Sequence, residues 1–185
     1  MIRELFNVPN IISLLRLALI PVFVWLVVKE DYGWAGVLLG IIGATDWIDG
    51  FLARKLNQVT ELGKFLDPLA DRIAVAVAVV AGLIAGVIPS WFAWALIIRE
   101  VVIAIGAVYG WTHGVTKLDV RFLGKAATLM LYFAISGFYV GKGFDIDLIT
   151  AFAYFIGIPG LAIYYWVAVQ YFGDMRIAIT ESRPS

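Results

Sequence analysis

The segment "TDWIDGFLARKLNQVTELGKFLDPLADRI", residues 45–73, places four aspartates between two apolar stretches of the chain. Asp46 and Asp49 lie three residues apart, and Asp67 and Asp71 lie four residues apart. On α-helices, these separations put side chains on one face. Two antiparallel helices joined by a short polar connection would therefore direct two carboxylates each toward a common space.

The composition of the whole chain predicts an integral membrane protein. Of its 185 residues, 62% are apolar and only 15% are charged, whereas a soluble domain is about half apolar and about a quarter charged. Fourteen basic and fourteen acidic residues cancel, so no basic field favours nucleic acid. The chain has no cysteine, which excludes disulfides and thiol chemistry. Its single histidine, His113, argues against a zinc site built on histidines.

Six apolar segments are long enough to cross a bilayer, which takes about 20 residues. They lack the alternation of barrel strands, so helices are the predicted spanning structure. We predict an all-α integral membrane fold with six transmembrane helices and a short N-terminal amphipathic helix at residues 2–8, forming a single domain, residues 1–185. The predicted spans are residues 11–29, 33–56, 64–87, 91–111, 122–141 and 147–172.

Lysine and arginine predict the orientation, because cytoplasmic loops carry an excess of both. One side of the predicted bundle collects most of these residues, and the other carries little beyond Lys29 and Lys142. We therefore expect the aspartate segment and both termini on the cytoplasmic side of a bacterial inner (cell) membrane.

Small and aromatic residues in the spans predict packing rather than chemistry. Gly36, Gly40 and Gly43 recur at the spacing that lets transmembrane helices approach closely. The many Trp, Tyr and Phe residues are typical of interfacial belts and of the helix interior.

Four clustered carboxylates predict bound cations. Closely spaced carboxylates repel each other and resist ionisation unless positive charge lies among them. Oxygen ligands suit Mg²⁺ or Mn²⁺, and substrate phosphates commonly complete the shell of Mg²⁺. Two such ions could clamp a diphosphate. Gly50, Ala53 and Gly63, which intersperse the acids, leave room for a bulky group near the backbone.

Two other interpretations account for the aspartates less well. Solvated loop charges need no helical register, and ionisable residues at membrane depth indicate function by default. A proton or ion pathway would account for carboxylates in a membrane, but it does not explain the small residues among them.

The spacing Asp-x2-Asp-Gly-x2-Ala-Arg-x8-Gly-x3-Asp-x3-Asp, which begins at Asp46, resembles the signature of the CDP-alcohol phosphatidyltransferase family. The N-terminal "NVPNIISLLRLALIPVFV" also resembles the first span of the phosphatidylglycerophosphate synthase and cardiolipin synthase branches. The resemblance covers most of the chain. It implies six spans, a site facing the cytoplasm and a homodimer in the lipid bilayer.

The resemblance also implies a role for each matching residue. Two divalent cations, Mg²⁺ or Mn²⁺, would be held by Asp46, Asp49, Asp67 and Asp71. Asp71 would also act as general base toward the acceptor hydroxyl, which attacks the lipid-side phosphorus of CDP-diacylglycerol and releases CMP. The residues implied for CDP-diacylglycerol binding are Asn10, Arg16, Gly50, Ala53, Arg54 and Gly63.

Basic residues of the later spans are candidates for binding the acceptor. Arg and Lys suit a phosphate group, and Arg99, Arg121 and Lys125 are expected in or near the cytoplasmic half. For Arg99 a structural ion pair is an equal alternative, although we expect Glu100 to be a neighbour in sequence only.

The identity of the acceptor depends on charges that this chain lacks. Phosphatidylglycerophosphate synthases usually carry a second arginine after the Arg-Glu pair and a second lysine in span five. Here the corresponding stretches are "REVVIAIGAVYG" and "GKAAT". The lower positive charge favours phosphatidylglycerol, and hence cardiolipin synthesis, over glycerol 3-phosphate. Inositol phosphate is a third choice, while an intramembrane prenyltransferase or a non-enzymatic transporter are remoter alternatives.

Overall fold

A computed structural model of the chain consists of α-helices and short turns, with no strand among the residues that it describes. The backbone is described for residues 8–56, 61–113 and 122–181, and side chains for residues 14–44, 70, 72–113 and 123–180. The helices are α1 (Val8–Val28), α2 (Tyr32–Leu56), α3 (Glu61–Ile84), α4 (Ser90–Thr112), α5 (Phe122–Gly143) and α6 (Asp147–Glu181).

Each predicted span corresponds to one of these helices. The first helix begins at Val8, so it includes the last residue of the predicted amphipathic segment, and residues 2–7 lie outside the described part of the chain. The last helix continues to Glu181, beyond the predicted end at residue 172. Its 35 residues rise about 52 Å at 1.5 Å per residue, which exceeds the hydrocarbon thickness of about 30 Å.

Three tight turns connect the helices at one end of the bundle. Glu30, Gly86 and Asp145 each adopt a left-handed backbone conformation, with φ of 63°, 63° and 55°. They lie between α1 and α2, between α3 and α4, and between α5 and α6 respectively. A single left-handed residue after a helix lets the chain reverse within a few positions, so each of these helix pairs is antiparallel.

Three helices are long and apolar enough to cross a membrane: Ser90–Thr112, Leu123–Gly143 and Asp147–Thr180. The apolar stretches Leu14–Val28, Tyr32–Ala44 and Arg72–Ile84 are shorter, although only described residues enter this count. Large apolar side chains such as Trp94, Ile105 and Trp111 project from α4, as expected for a surface that faces lipid. The chain is therefore an integral membrane protein.

The helices pack around α3 and α5, each of which contacts three other helices. The first helix contacts α2 and α3, while α5 contacts α2, α3 and α6, and α4 contacts α3 and α6. The largest buried side chains of α5, Ile135, Phe138 and Tyr139, lie at the centre of this arrangement. The ring of Phe138 meets that of Phe92 edge to face at 5.4 Å.

A row of glycines holds α2 directly against α5. A Cβ atom added to Gly36 would lie 2.7 Å from the backbone nitrogen of Val140, and one added to Gly43 would lie 2.2 Å from the Tyr132 ring. The Ser136 hydroxyl donates a hydrogen bond of 2.8 Å to the Gly36 carbonyl. These contacts confirm the predicted close packing and show that the two helices run antiparallel.

Candidate active site

The buried face of α2 leads directly to the first two aspartates. Ala35, Leu39 and Ile42 are at most 2% exposed. Their separations of four and three residues define one helix face. The same alternation continues to positions 46 and 49, which the described backbone places in the second half of α2. The first pair of aspartates thus occupies the register of the core.

The helix α3 shows the same arrangement. Ala70, Ala74 and Ala78 are at most 3% exposed and recur every four residues. Asp67 and Asp71 precede Ala74 and Ala78 by seven residues, or two turns, so they occupy the same face by register. Small side chains on this face let other helices approach α3 closely.

A fully buried arginine lies on α1 at about the same level as Asp46 on α2. Arg16 is 1% exposed, and it lies two turns before the buried Phe23 on the same helix face. Arg16 is twelve residues from the end of α1, and Ala44 is twelve residues from the start of α2. Because these two helices form an antiparallel hairpin, Arg16 lies within one turn of the level of Asp46.

Helical register therefore predicts that the bundle interior changes from apolar to charged along its axis. At the end with the tight turns it is filled by Val27, Leu39 and Ala78 among others. Toward the other end, the same three faces carry Arg16 on α1 and the aspartate positions on α2 and α3. The predicted arrangement would fit a cation site, since a buried arginine alone offsets only one of four carboxylates, and oxygen donors suit Mg²⁺ and Mn²⁺.

The aspartate side chains themselves lie outside the described residues, so their mutual distances are not part of the structure. Among the side chains that are described, no three His, Cys, Asp or Glu residues group together in a way that could hold a metal ion. The predicted cluster is supported by the positions of the four aspartates along α2 and α3, and it stays a prediction.

The residues expected to bind the nucleotide lie at this same end of the bundle. Asn10 is in the first turn of α1. Gly50, Ala53 and Arg54 occupy the last two turns of α2, and Gly63 lies in the first turn of α3. Their helices thus bring all five to one end, but the contacts of their side chains are outside the described residues.

Arg99 belongs to a polar group between α4 and α6. Its Nη1 atom lies 2.8 Å from Oε1 of Glu100, and its Cζ atom lies 3.6 Å from the centre of the Tyr164 ring. The Tyr164 hydroxyl donates a hydrogen bond to the same Glu100 oxygen. The expectation that Glu100 is a neighbour in sequence only was therefore wrong: the flexible Arg99 side chain reaches around the helix to it.

This polar group lies near the middle of α4, so Arg99 is deeper than the expected cytoplasmic half. Nine residues separate it from Ser90, the first residue of the helix, and thirteen from Thr112, the last. The Nε atom of Arg99 is buried and has no hydrogen-bond partner among the described residues. The charge of this guanidinium is balanced by Glu100.

Lys125 extends the face of α5 that packs against α2. It lies seven residues before Tyr132 and is exposed. Since Gly36 meets Val140 and Gly43 meets Tyr132, the antiparallel register brings Lys125 to the level of residues 50–51 of α2. The third predicted acceptor residue, Arg121, lies outside the described part of the chain.

Comparison with known proteins identifies the family. A sequence model of the CDP-alcohol phosphatidyltransferase family matches residues 6–170. The chain belongs to this family. It is therefore a transferase, and the resemblance noted in its aspartate spacing is confirmed.

Similar members of the CDP-alcohol phosphatidyltransferase family carry two different names. The chain is 33% identical over 181 residues to "Cardiolipin synthase (CMP-forming)" of Streptomyces coelicolor, covering 94% of this chain and 84% of the relative. It is 35% identical over 182 residues to "Putative cardiolipin synthase" of Mycobacterium tuberculosis, covering 97% and 87%. It is also 34% identical over 182 residues to "CDP-diacylglycerol--glycerol-3-phosphate 3-phosphatidyltransferase" of Bacillus subtilis, covering 89% of each.

Sequence reasoning about this phosphatidyltransferase missed the tyrosines that connect its helices. Tyr164 bonds Glu100, Tyr139 donates to the Ala78 carbonyl at 2.8 Å, and Tyr165 donates to the Ala95 carbonyl at 2.7 Å. Aromatic residues taken as one class predict only interfacial belts and packing. The signal was the hydroxyl, because a Tyr within a span needs a polar partner that a Phe does not.

Proposed function

We propose that this enzyme transfers the phosphatidyl group of CDP-diacylglycerol to a glycerol-based acceptor, releasing CMP, and that phosphatidylglycerol is the acceptor, which makes the product cardiolipin. The observation that carries this proposal is the buried Arg16, together with the helical register that continues the core faces of α2 and α3 to the four aspartate positions. Keeping ionisable groups within a membrane bundle costs about several kcal/mol, so their presence there indicates a functional site.

In this proposal Asp46, Asp49, Asp67 and Asp71 hold two divalent cations, Mg²⁺ or Mn²⁺. Bound there, the cations would offset the negative charge of the diphosphate and of the departing CMP. Support comes from the helical register of the four positions and from their oxygen-only chemistry.

The proposal assigns proton transfer to Asp71 and donor binding to a separate set of residues. Asp71 accepts the proton of the acceptor hydroxyl, whose oxygen forms a bond to the lipid-side phosphorus. The bond between that phosphorus and the CMP oxygen breaks, and CMP leaves. Donor binding is assigned to the following residues: Asn10, Arg16, Gly50, Ala53, Arg54 and Gly63.

The acceptor side is assigned to Arg99, Arg121 and Lys125. Glu100 balances the charge of Arg99, which lowers the positive charge that this region offers to a phosphate. Phosphatidylglycerol is a diester with one negative charge, whereas glycerol 3-phosphate is a monoester with up to two. A weakly positive site therefore suits phosphatidylglycerol, in line with the names of the Streptomyces and Mycobacterium relatives.

Glycerol 3-phosphate is the second candidate acceptor, because the Bacillus subtilis relative is named for it at a similar identity. The buried Nε of Arg99 and the exposed Lys125 are donors that a phosphate monoester could also engage. An acceptor competition, described below, separates the two.

We also propose the placement of the enzyme in its membrane. All six helices span the bilayer as a single domain, residues 1–185. The charged end faces the cytoplasm of a bacterial inner (cell) membrane, and two copies form a homodimer. The excess of Lys and Arg at that end supports the orientation, and the 35-residue length of α6 lets its last turns extend past the lipid.

The acceptor assignment is tested by competition. Purified enzyme receives CDP-diacylglycerol, Mn²⁺ and equal concentrations of phosphatidylglycerol and glycerol 3-phosphate in mixed micelles, and the products are separated by thin-layer chromatography. Cardiolipin as the main product supports the proposal. Phosphatidylglycerophosphate as the sole product would reassign the enzyme to glycerol 3-phosphate.

A further inference from the structure

Tyr164 of α6 contacts both members of the ion pair on α4. The Cζ atom of Arg99 lies 3.6 Å from the centre of the Tyr164 ring, a distance at which the ring face attracts a cation. The Tyr164 hydroxyl donates a hydrogen bond to Oε1 of Glu100, and the same oxygen lies 2.8 Å from Nη1 of Arg99. One tyrosine thus holds the guanidinium with its ring and the carboxylate with its hydroxyl.

The Arg99–Glu100 pair needs such support because helix geometry alone does not favour it. Consecutive residues of a helix point about 100° apart and do not face each other. Both side chains must therefore bend toward one side of α4, which is the side that α6 occupies. Tyr164 supplies the contacts that draw them there, so the geometry of the pair depends on a residue of another helix.

The exposure of the pair differs between its two members. The Arg99 side chain is 12% exposed, whereas that of Glu100 is 47% exposed. Ionisable side chains at membrane depth face the bundle interior or a water-filled cavity rather than lipid. By this rule the open side of Glu100 borders a polar opening of the bundle, where an approaching anion meets the carboxylate together with the guanidinium.

A close contact between α5 and α6 gives the level of this polar group in the bundle. A Cβ atom added to Gly160 would lie 3.0 Å from the Cβ of Met130. Because α5 and α6 are antiparallel, Tyr164, four residues after Gly160, lies level with about residue 126 of α5 and within one turn of Lys125. The group thus lies near the middle of α4 but close to the start of α5, since α4 and α6 both continue past that start.

We propose that Tyr164 is a positioning residue that determines acceptor specificity. By holding Glu100 against Arg99, it keeps this part of the acceptor site close to neutral, which favours a phosphodiester lipid over a phosphate monoester. The inference rests on the proposed function, since it takes Arg99 as part of the acceptor site. Repulsion between Glu100 and the additional negative charge of a monoester, about 10 Å away at an effective dielectric constant of about 20, corresponds to about a tenfold discrimination.

The test compares Tyr164→Phe with Tyr165→Phe. Both substitutions remove a hydroxyl that connects α6 to α4, but Tyr165 bonds the neutral Ala95 carbonyl. The kcat/KM of each purified variant is measured with phosphatidylglycerol and with glycerol 3-phosphate in separate reactions. Tyr164→Phe keeps the ring over Arg99 but releases Glu100, so the ratio of the lipid value to the monoester value should fall about tenfold. The KM for CDP-diacylglycerol should not change.

Tyr165→Phe should keep the wild-type ratio, because a loss of stability affects both reactions of one enzyme equally. Glu100→Gln removes the charge directly and should lower the ratio at least as far as Tyr164→Phe does. In the Glu100→Gln background Tyr164→Phe should lower it no further, because residues that act through one another are non-additive.

An unchanged ratio in Tyr164→Phe or in Glu100→Gln, an equal fall in Tyr165→Phe, or a full additional fall in the double variant would each overturn the inference. Failure of the proposed function appears instead in the wild type, with phosphatidylglycerophosphate as the sole product. In that case the inference is decided by the kcat/KM for glycerol 3-phosphate alone, which Tyr164→Phe should still raise and Tyr165→Phe should not.

Discussion

Substituting Gly43 by alanine tests whether α5 packs against α2 as closely as the structure indicates beside the aspartates. The added Cβ would lie 2.2 Å from Cε1 and 2.5 Å from Cδ1 of Tyr132. Carbon atoms in contact are normally about 3.5–4.0 Å apart. The Tyr132 ring, which is rigid and buried, must therefore retreat by about 1.5 Å or the helices must separate.

The expected cost has a structural and a catalytic part. Overfilling a packed interior typically costs about 1–3 kcal/mol of the free energy of unfolding. A displacement of about 1 Å near reacting groups can lower a rate by about 10²-fold. We therefore expect Gly43→Ala to lower kcat by about a hundredfold, a larger effect than its loss of stability explains.

Gly40→Ala is the matched control, one turn away on the same face of α2. Its added Cβ would lie 3.1 Å from the Ser136 hydroxyl oxygen, which can shift by a few tenths of an ångström. Both substitutions gain the same helix propensity, about 0.5–1 kcal/mol, so their difference isolates the clash with Tyr132.

The assay measures thermal unfolding in detergent and CMP release from CDP-diacylglycerol for both variants. Gly40→Ala should resemble the wild type in both. If Gly43→Ala is as stable and as active as Gly40→Ala, then α5 does not pack closely on α2 at this level, and the contact between Tyr132 and Gly43 is wrong.

Two further predictions concern the acceptor side and the α4–α6 contact. Lys125→Ala should lower kcat/KM for the acceptor about 10- to 100-fold, as expected for loss of a charge-assisted contact. The control, Lys142→Ala at the other end of α5, should not change it. Equal acceptor kinetics in the two variants would show that Lys125 is not part of the site. Tyr164→Phe should cost about 1.5–3 kcal/mol of unfolding free energy because its hydroxyl bonds the charged Glu100, and Tyr165→Phe, which loses a bond to a neutral carbonyl, about 0.5–1.5 kcal/mol. Thermal unfolding compares them, and a larger loss in Tyr165→Phe would contradict the assigned partners.

Hydrophobic patterning predicted the helices well because a helix that crosses a bilayer must be apolar over about 20 residues. Six runs of apolar residues correspond to the six helices of the described chain, and the glycines at positions 36, 40 and 43 predicted close helix packing, although not that α5 is the partner. The end of α6 was missed, since its residues after Phe172 include Gly173 and Asp174, and no apolar run marks a helix that leaves the lipid.

The candidate site was predicted in its register but not in its partners. Spacing alone placed the aspartates on shared helix faces, because separations of three and four residues are set by the helix itself. Partners across helices depend on packing that spacing does not contain. Thus Tyr164, 64 residues after Glu100 in the chain, and Tyr132, beside Gly43, were visible only in the folded bundle.

The central claim, that the charged end of this bundle is a cation-dependent phosphatidyl transfer site, is tested most directly by CMP release. Purified wild-type enzyme and Asp67→Ala are incubated with CDP-diacylglycerol and phosphatidylglycerol, with Mn²⁺ or with excess EDTA. We predict CMP release by the wild type in Mn²⁺, and none in EDTA or in the variant. Full release in EDTA, or undiminished release by Asp67→Ala, would contradict the claim.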